Sequence, residues 1–115
     1  MIANFRFAAQ GIKLSFEERN IRIHYLAANC AIIAGYILNI SLIEWIAIFI
    51  VIGMVISLEM VNTAIEIVVD MVCPDHNEFA GKAKDIAAGA VLIAAMASVA
   101  VGSIIFIPKI MALYF

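Results

Sequence analysis

Between Ile43 and Val69 the chain is almost continuously apolar, yet it carries Glu59 and Glu66, with Asn62 between them and Asp70 just beyond. On an α-helix these four residues lie at i, i+3, i+7 and i+11, and at about 100° per residue they stack into one narrow stripe. An ionisable group in a membrane-spanning helix costs roughly 2.5–3.5 kcal/mol on insertion scales. The stripe must therefore face the interior of a helix bundle, where intramembrane carboxylates mark functional sites by default.

The rest of the composition requires a membrane. Of 115 residues, 66% are hydrophobic and only 14% charged, and the mean hydropathy is +1.10. A globule this small has too little interior for so much apolar surface, so the surplus must face lipid. The net charge of −2 says little. Its distribution says more, because polar residues gather at Lys13–His24 and Asp70–Asp85. Cys30 and Cys73 fit no paired or metal-ligand spacing. The N-terminus lacks the pattern of a signal peptide.

The expected fold is an all-α membrane protein of one domain, residues 1–115, with an N-terminal amphipathic surface helix over about 2–20. Three spans follow at about 21–39, 42–72 and 82–107, the last broken by Pro108. The short link Asn39-Ile40-Ser41 makes the first two spans antiparallel neighbours, and 73–77 reverses the chain again. Arg6, Lys13, Arg19, Arg22, Lys82 and Lys84 then share one side, with Lys109 alone on the other. The positive-inside rule puts the N-terminus in the cytoplasm and the C-terminus outside, as in a multi-pass protein of a bacterial inner membrane. Ala90, Ala94, Ser98 and Gly102 recur every fourth residue and predict a close helix–helix contact. So few helices cover little of one another, and an oligomer is expected.

Glu59, Asn62 and Glu66 are the strongest chemical constellation. A positioned carboxylate can act as general base, and a second can hold a divalent cation through hard oxygen ligands. The alternative is interhelical hydrogen bonding without chemistry. Glu17 and His76 read as solvated polar residues. Glu18 matters only if it reaches the second span. Lys84, beside Asp85 near a helix start, opposes the helix dipole, which a phosphate partner would explain. There is no GxxxxGK[ST] loop, so any nucleotide must be held by metal, basic side chains and helix ends.

The run Glu59-Met-Val-Asn62-Thr-Ala-Ile-Glu66-Ile-Val-Val-Asp70, followed by Gly81-Lys-Ala-Lys84-Asp85-Ile-Ala-Ala-Gly-Ala-Val-Leu, closely resembles the signature of the prokaryotic diacylglycerol kinases, a family that includes undecaprenol kinases. The resemblance covers nearly the whole chain. It implies a homotrimer of surface helix plus three spans that moves the γ-phosphate of ATP, with Mg2+, to the hydroxyl of a membrane lipid alcohol. It implies active sites shared between protomers, and no nucleic-acid partner. By position it places the catalytic base at Glu59 and an active-site asparagine at Asn62. Metal ligation falls on Glu66 and, through a one-residue deletion after Gly11, on Glu18. Nucleotide contacts fall on Asp75, His76, Asn77, Lys84 and Asp85. Phe7 stands where the family has a tyrosine near the adenine. The segment Glu18–His24 looks more like the undecaprenol kinase branch. The main rival is a small proton- or cation-coupled transporter, since intramembrane glutamates also relay protons. A non-catalytic membrane subunit is a second rival.

Overall fold

Four helices account for the chain in a computed structural model that describes residues 2–115. They are α1 (Ile2–Ser15), α2 (Arg19–Ile37), α3 (Leu42–Val72) and α4 (Glu78–Tyr114). The two long helices set the shape: at 1.5 Å per residue α4 is about 55 Å long, which matches the longest dimension of the molecule, 56 Å.

α3 and α4 are each long and apolar enough to cross a membrane, and most of their surface is uncovered. α2 is shorter and carries Arg19, Asn20, Arg22 and His24 in its first two turns. By length and apolarity alone, two helices therefore qualify where three spans were expected.

α3 packs most extensively on α4, and the contact has a readable period. Along α3 the buried and half-buried positions include Trp45, Ile48, Ile52, Val55, Glu59, Asn62 and Glu66. Along α4 they include Lys84, Ala87, Val91, Ala94, Ser98, Val101 and Ile105. Steps of three and four alternate on both helices, giving the 3.5-residue repeat of a left-handed coiled-coil seam. The pair is antiparallel, because Lys109 meets Glu44 at one end and Lys84 meets Asp70 at the other.

This period corrects the small-residue stripe expected on α4. Ala94 is buried and Ser98 and Gly102 half-buried, but Ala90 is exposed. A row of fourth residues advances about 40° per step and drifts off a seam that alternates three and four.

The turns follow from their residues. After α2, Asn39 takes a left-handed conformation (φ 53°), one that asparagine tolerates. The Asn39 amide donates to the Tyr36 carbonyl and the Ile40 amide to the Gly35 carbonyl, which is a Schellman ending. Ser41 then caps α3 in a reciprocal box: its Oγ accepts from the Glu44 amide at 3.2 Å, and its amide donates to Glu44 Oε1 at 2.9 Å. Glu44 Oε2 accepts from Lys109 Nζ at 2.9 Å, which ties the start of α3 to the end of α4. Beside this junction lies an apolar core of Ile40, Ile48 and Ile105, flanked by Trp45 and Phe106.

Three expected boundaries shift. α4 begins at Glu78 rather than near 82, because the Asn77 side chain caps it by accepting from the Phe79 and Ala80 amides at 2.9 and 3.1 Å. It also continues through Pro108 instead of ending there. The proline removes one bond to the Ile104 carbonyl, while the Lys109–Glu44 pair holds the following turn to α3. α1 ends at Ser15, short of the expected 20. It is exposed along nearly its whole length and joins α2 chiefly where Phe16 stacks on Tyr25, with ring centroids 4.4 Å apart.

Two substitutions probe these features. A methyl group at Gly35 would lie 2.9 Å from Trp45 Cη2 and 3.0 Å from Ile40 Cδ1. Gly35→Ala should cost about 1–3 kcal/mol, read as thermal unfolding in detergent micelles, and Trp45→Phe in that background should recover part of it. Asn77→Ala should cost about 0.5–2 kcal/mol and speed amide exchange in the first turn of α4, whereas Asn77→Ser should retain the cap.

Candidate active site

The seam of α3 changes character along its length. Its first half is apolar, through Ile48, Ile52 and Val55; its second half carries Glu59, Asn62 and Glu66. The packing that buries isoleucine at one end thus removes a carboxylate and an amide from lipid at the other. Glu59 is 5% exposed and Asn62 7%. A buried polar group needs a partner, and most of these have one. Asn62 Nδ2 donates to Glu66 Oε1 at 3.2 Å. His24 Nε2, reaching across from α2, lies 3.5 Å from Glu59 Oε2. Thr63 turns its hydroxyl back to the Glu59 carbonyl.

One atom is left over. Asn62 Oδ1 is buried and has no hydrogen-bond partner. An orphaned acceptor of this kind costs roughly 1–3 kcal/mol until a donor reaches it.

Asp70 shares the helical phase of Glu59 but lies beyond the buried section and is exposed. It accepts from Lys84 Nζ at 2.6 Å, across to α4. Lys84 occupies the second turn of α4, not its first residues. Asp70 thus accounts for the unusual lysine near a helix start without any phosphate.

Asp70 and Lys84 edge a polar hollow of about 180 Å3, closed by Asp75, His76 and Asn77 of the α3–α4 turn. A second, apolar groove of about 200 Å3 runs from His24 along Ala28 and Ala31 of α2, between Val55 of α3 and Gly102 of α4. The two spaces lie at opposite ends of the polar section of the seam.

Measured against the sequence, the structure puts Glu59, Asn62 and Glu66 along one seam, with Asn62 bonded to Glu66 and Glu59 facing His24, and sets Asp75, His76, Asn77 and Lys84 around one hollow. Asn77 reaches that hollow with its side-chain oxygen already committed to the α4 cap. Asp85 is exposed and does not line the hollow. Glu18 is the N-cap residue of α2 and Phe7 lies on α1; both are exposed, and Glu18 makes no ion pair among the described residues. Among those residues no three His, Cys, Asp or Glu side chains converge as a metal cluster. His24 is the contact that sequence reasoning missed. Its signal was present: Ile21, His24, Ala28 and Gly35 fall in the same seam phase, and all four are buried or half-buried.

Comparison with known proteins identifies the family. A family model described as prokaryotic diacylglycerol kinase matches residues 6–106. The undecaprenol kinase of Bacillus subtilis is 44% identical over 93% of this chain and 88% of its own length. A diacylglycerol kinase of Synechocystis is 38% identical over 98% of this chain, which spans 66% of that protein. The diacylglycerol kinase of Escherichia coli K12 is 29% identical over 81% of this chain. These likenesses give a transporter no support. With buried Glu59 and Asn62 and half-buried Glu66 on one seam, and with these matches over nearly the whole length, the chain belongs to the prokaryotic diacylglycerol kinase family of membrane lipid phosphotransferases.

Proposed function

We propose that this chain phosphorylates the hydroxyl of a membrane lipid alcohol with ATP and Mg2+ at the cytoplasmic face of the bacterial inner membrane. The acceptor is undecaprenol in preference to diacylglycerol. The higher identity to an undecaprenol kinase and the form of Glu18–His24 support that choice. The observation that carries the proposal is the burial of Glu59 on the seam of α3, one helical turn from Asn62 and two from Glu66, to which Asn62 is bonded.

Phosphoryl transfer requires mainly positioning and charge neutralisation. Glu59 sits where the apolar groove ends and the polar section of the seam begins. A lipid alcohol with its hydrocarbon in the groove presents its hydroxyl there, and Glu59 takes the proton as the oxygen attacks phosphorus. Asn62 Oδ1, without a partner, is an acceptor able to orient that hydroxyl. Lys84 and the turn residues Asp75, His76 and Asn77 receive the nucleotide in the polar hollow, and Asp85 and Phe7 lie further out. To bind phosphate, Lys84 must loosen its pair with Asp70.

The donor set fits Mg2+. The ion usually binds one or two carboxylates together with substrate phosphates and does not need an all-protein cage. Glu66, with one oxygen engaged by Asn62, and the exposed Glu18 would hold it. When bound it offsets charge on the transferring phosphoryl group. The wide uncovered faces of α3 and α4 support assembly as a homotrimer in which α2 serves as a third span, with sites shared between protomers and the N-terminus cytoplasmic.

In mixed micelles with Mg2+ and ATP, purified protein should phosphorylate undecaprenol faster than diacylglycerol. Glu59→Gln should lower kcat by about 10²–10⁴-fold while the oligomer elutes unchanged on size exclusion. Full turnover in that variant would remove Glu59 as the base, and loss of the oligomer would favour a purely structural stripe.

A further inference from the structure

Glu59 poses a problem of its own. The side chain is 6% exposed, so a proton taken from the acceptor has no direct route to water. Its surroundings offer few receivers. Asn62 is an amide committed through Nδ2 to Glu66, and the Thr63 hydroxyl bonds the helix backbone. Glu66 lies two turns away, about 10 Å along the axis. Apart from His24, the side chains lining the adjoining groove, among them Ala28, Ile56 and Ser98, carry no titratable group. Among the described residues His24 is the one ionisable side chain in contact with the Glu59 carboxylate, at 3.5 Å, and it is 25% exposed.

We infer that His24 is the positioning residue of Glu59 and the exit for its proton. The inference rests on Glu59 being the base. Imidazole suits the role because it both accepts and releases a proton near neutrality. The separation is long for a hydrogen bond, as catalytic contacts often are before substrate binds.

The steps balance. The acceptor oxygen forms a bond to the γ-phosphorus, the β–γ bridging P–O bond breaks, and ADP leaves with that electron pair. The hydroxyl proton passes to the Glu59 carboxylate and then to Nε2 of neutral His24. The imidazolium releases one proton to water from Nδ1, and exchange with water returns the ring to the tautomer with Nε2 free, restoring carboxylate and imidazole for the next turnover. Once the proton has moved, the imidazolium donates from Nε2 to the Glu59 carboxylate and holds it on the side of α3 that faces α2.

The test compares three variants as assembled protein in micelles, with and without free imidazole. His24→Ala should lose at least about tenfold in kcat, with KM for ATP and lipid nearly unchanged, and millimolar imidazole should restore part of the rate. His24→Gln keeps a hydrogen-bond donor but cannot carry a proton, so it should be as slow as His24→Ala and insensitive to imidazole. It also carries the test if the alanine variant fails to assemble. Wild-type turnover in His24→Gln overturns the role, because a donor alone would then suffice. So does a slow His24→Ala that assembles normally and is not rescued. Glu59→Gln separates the two readings: if it is active the base assignment itself falls, whereas an inactive Glu59→Gln beside a fully active His24→Gln removes only the proton exit.

Discussion

The antiparallel contact between α3 and α4 decides where every charged side chain in the apolar half of this protein can go. Its 3.5-residue period selects one line of side chains from each helix and leaves the remaining faces uncovered. In lipid, an uncovered leucine or isoleucine is comfortable and an uncovered carboxylate is not. The line on α3 therefore holds both that helix's best-packed apolar residue, Ile48 at 2% exposed, and the buried Glu59 at 5%. One geometric rule buries an isoleucine at one end and a carboxylate at the other.

The two ends of the pair are fastened by charge. Glu44 and Lys109 join at the end that holds the apolar core, where Glu44 also completes the Ser41 capping box. Asp70 and Lys84 join at the end that opens to the polar hollow. The first contact is half-buried and built into a helix cap, so it acts as a fixture. The second is more exposed and edges a cavity, so it is the pair a phosphate group can displace. The polar seam residues lie between these clasps, toward the displaceable one, where a hydrocarbon groove and a polar hollow approach the same stretch of helix.

Much of this was legible in the chain because composition and periodicity act over many residues. The i, i+3, i+7 spacing of Glu59, Asn62 and Glu66 predicts a shared inward face, and the structure buries the first two and half-buries the third. What was misread depended on single residues and their tertiary partners. Asp70 was not among these: α3 is longer than the hydrocarbon layer, and its polar end projects past the packed section as its length predicts. Pro108 reads as a helix end, yet the Lys109–Glu44 pair anchors the turn that follows it. Ala90 belongs to a row of fourth residues that looks like a seam until the real period is known. Lys84 seemed to need a phosphate because its partner, Asp70, is fourteen positions away. His24 was hidden for the opposite reason: it sits in a charge-rich run that suggests solvent, while the phase of α2 turns it toward Glu59. The placement of Glu18 and Phe7 depends on surfaces that one chain leaves exposed, and no local pattern encodes that.

The central claim is that the inward line of α3 gathers a metal–nucleotide at its polar end, and it can be read from the metal itself. Mn2+ substituted for Mg2+, with a non-hydrolysable ATP analogue and carboxylate-13C glutamate, should show a hyperfine coupling to ligand carbon in electron–nuclear double resonance. Glu66→Gln should remove one such coupling, while Glu44→Gln should leave the spectrum unchanged. A Mn2+–nucleotide signal without glutamate coupling, or one indifferent to Glu66, would place the nucleotide away from this helix and contradict the account.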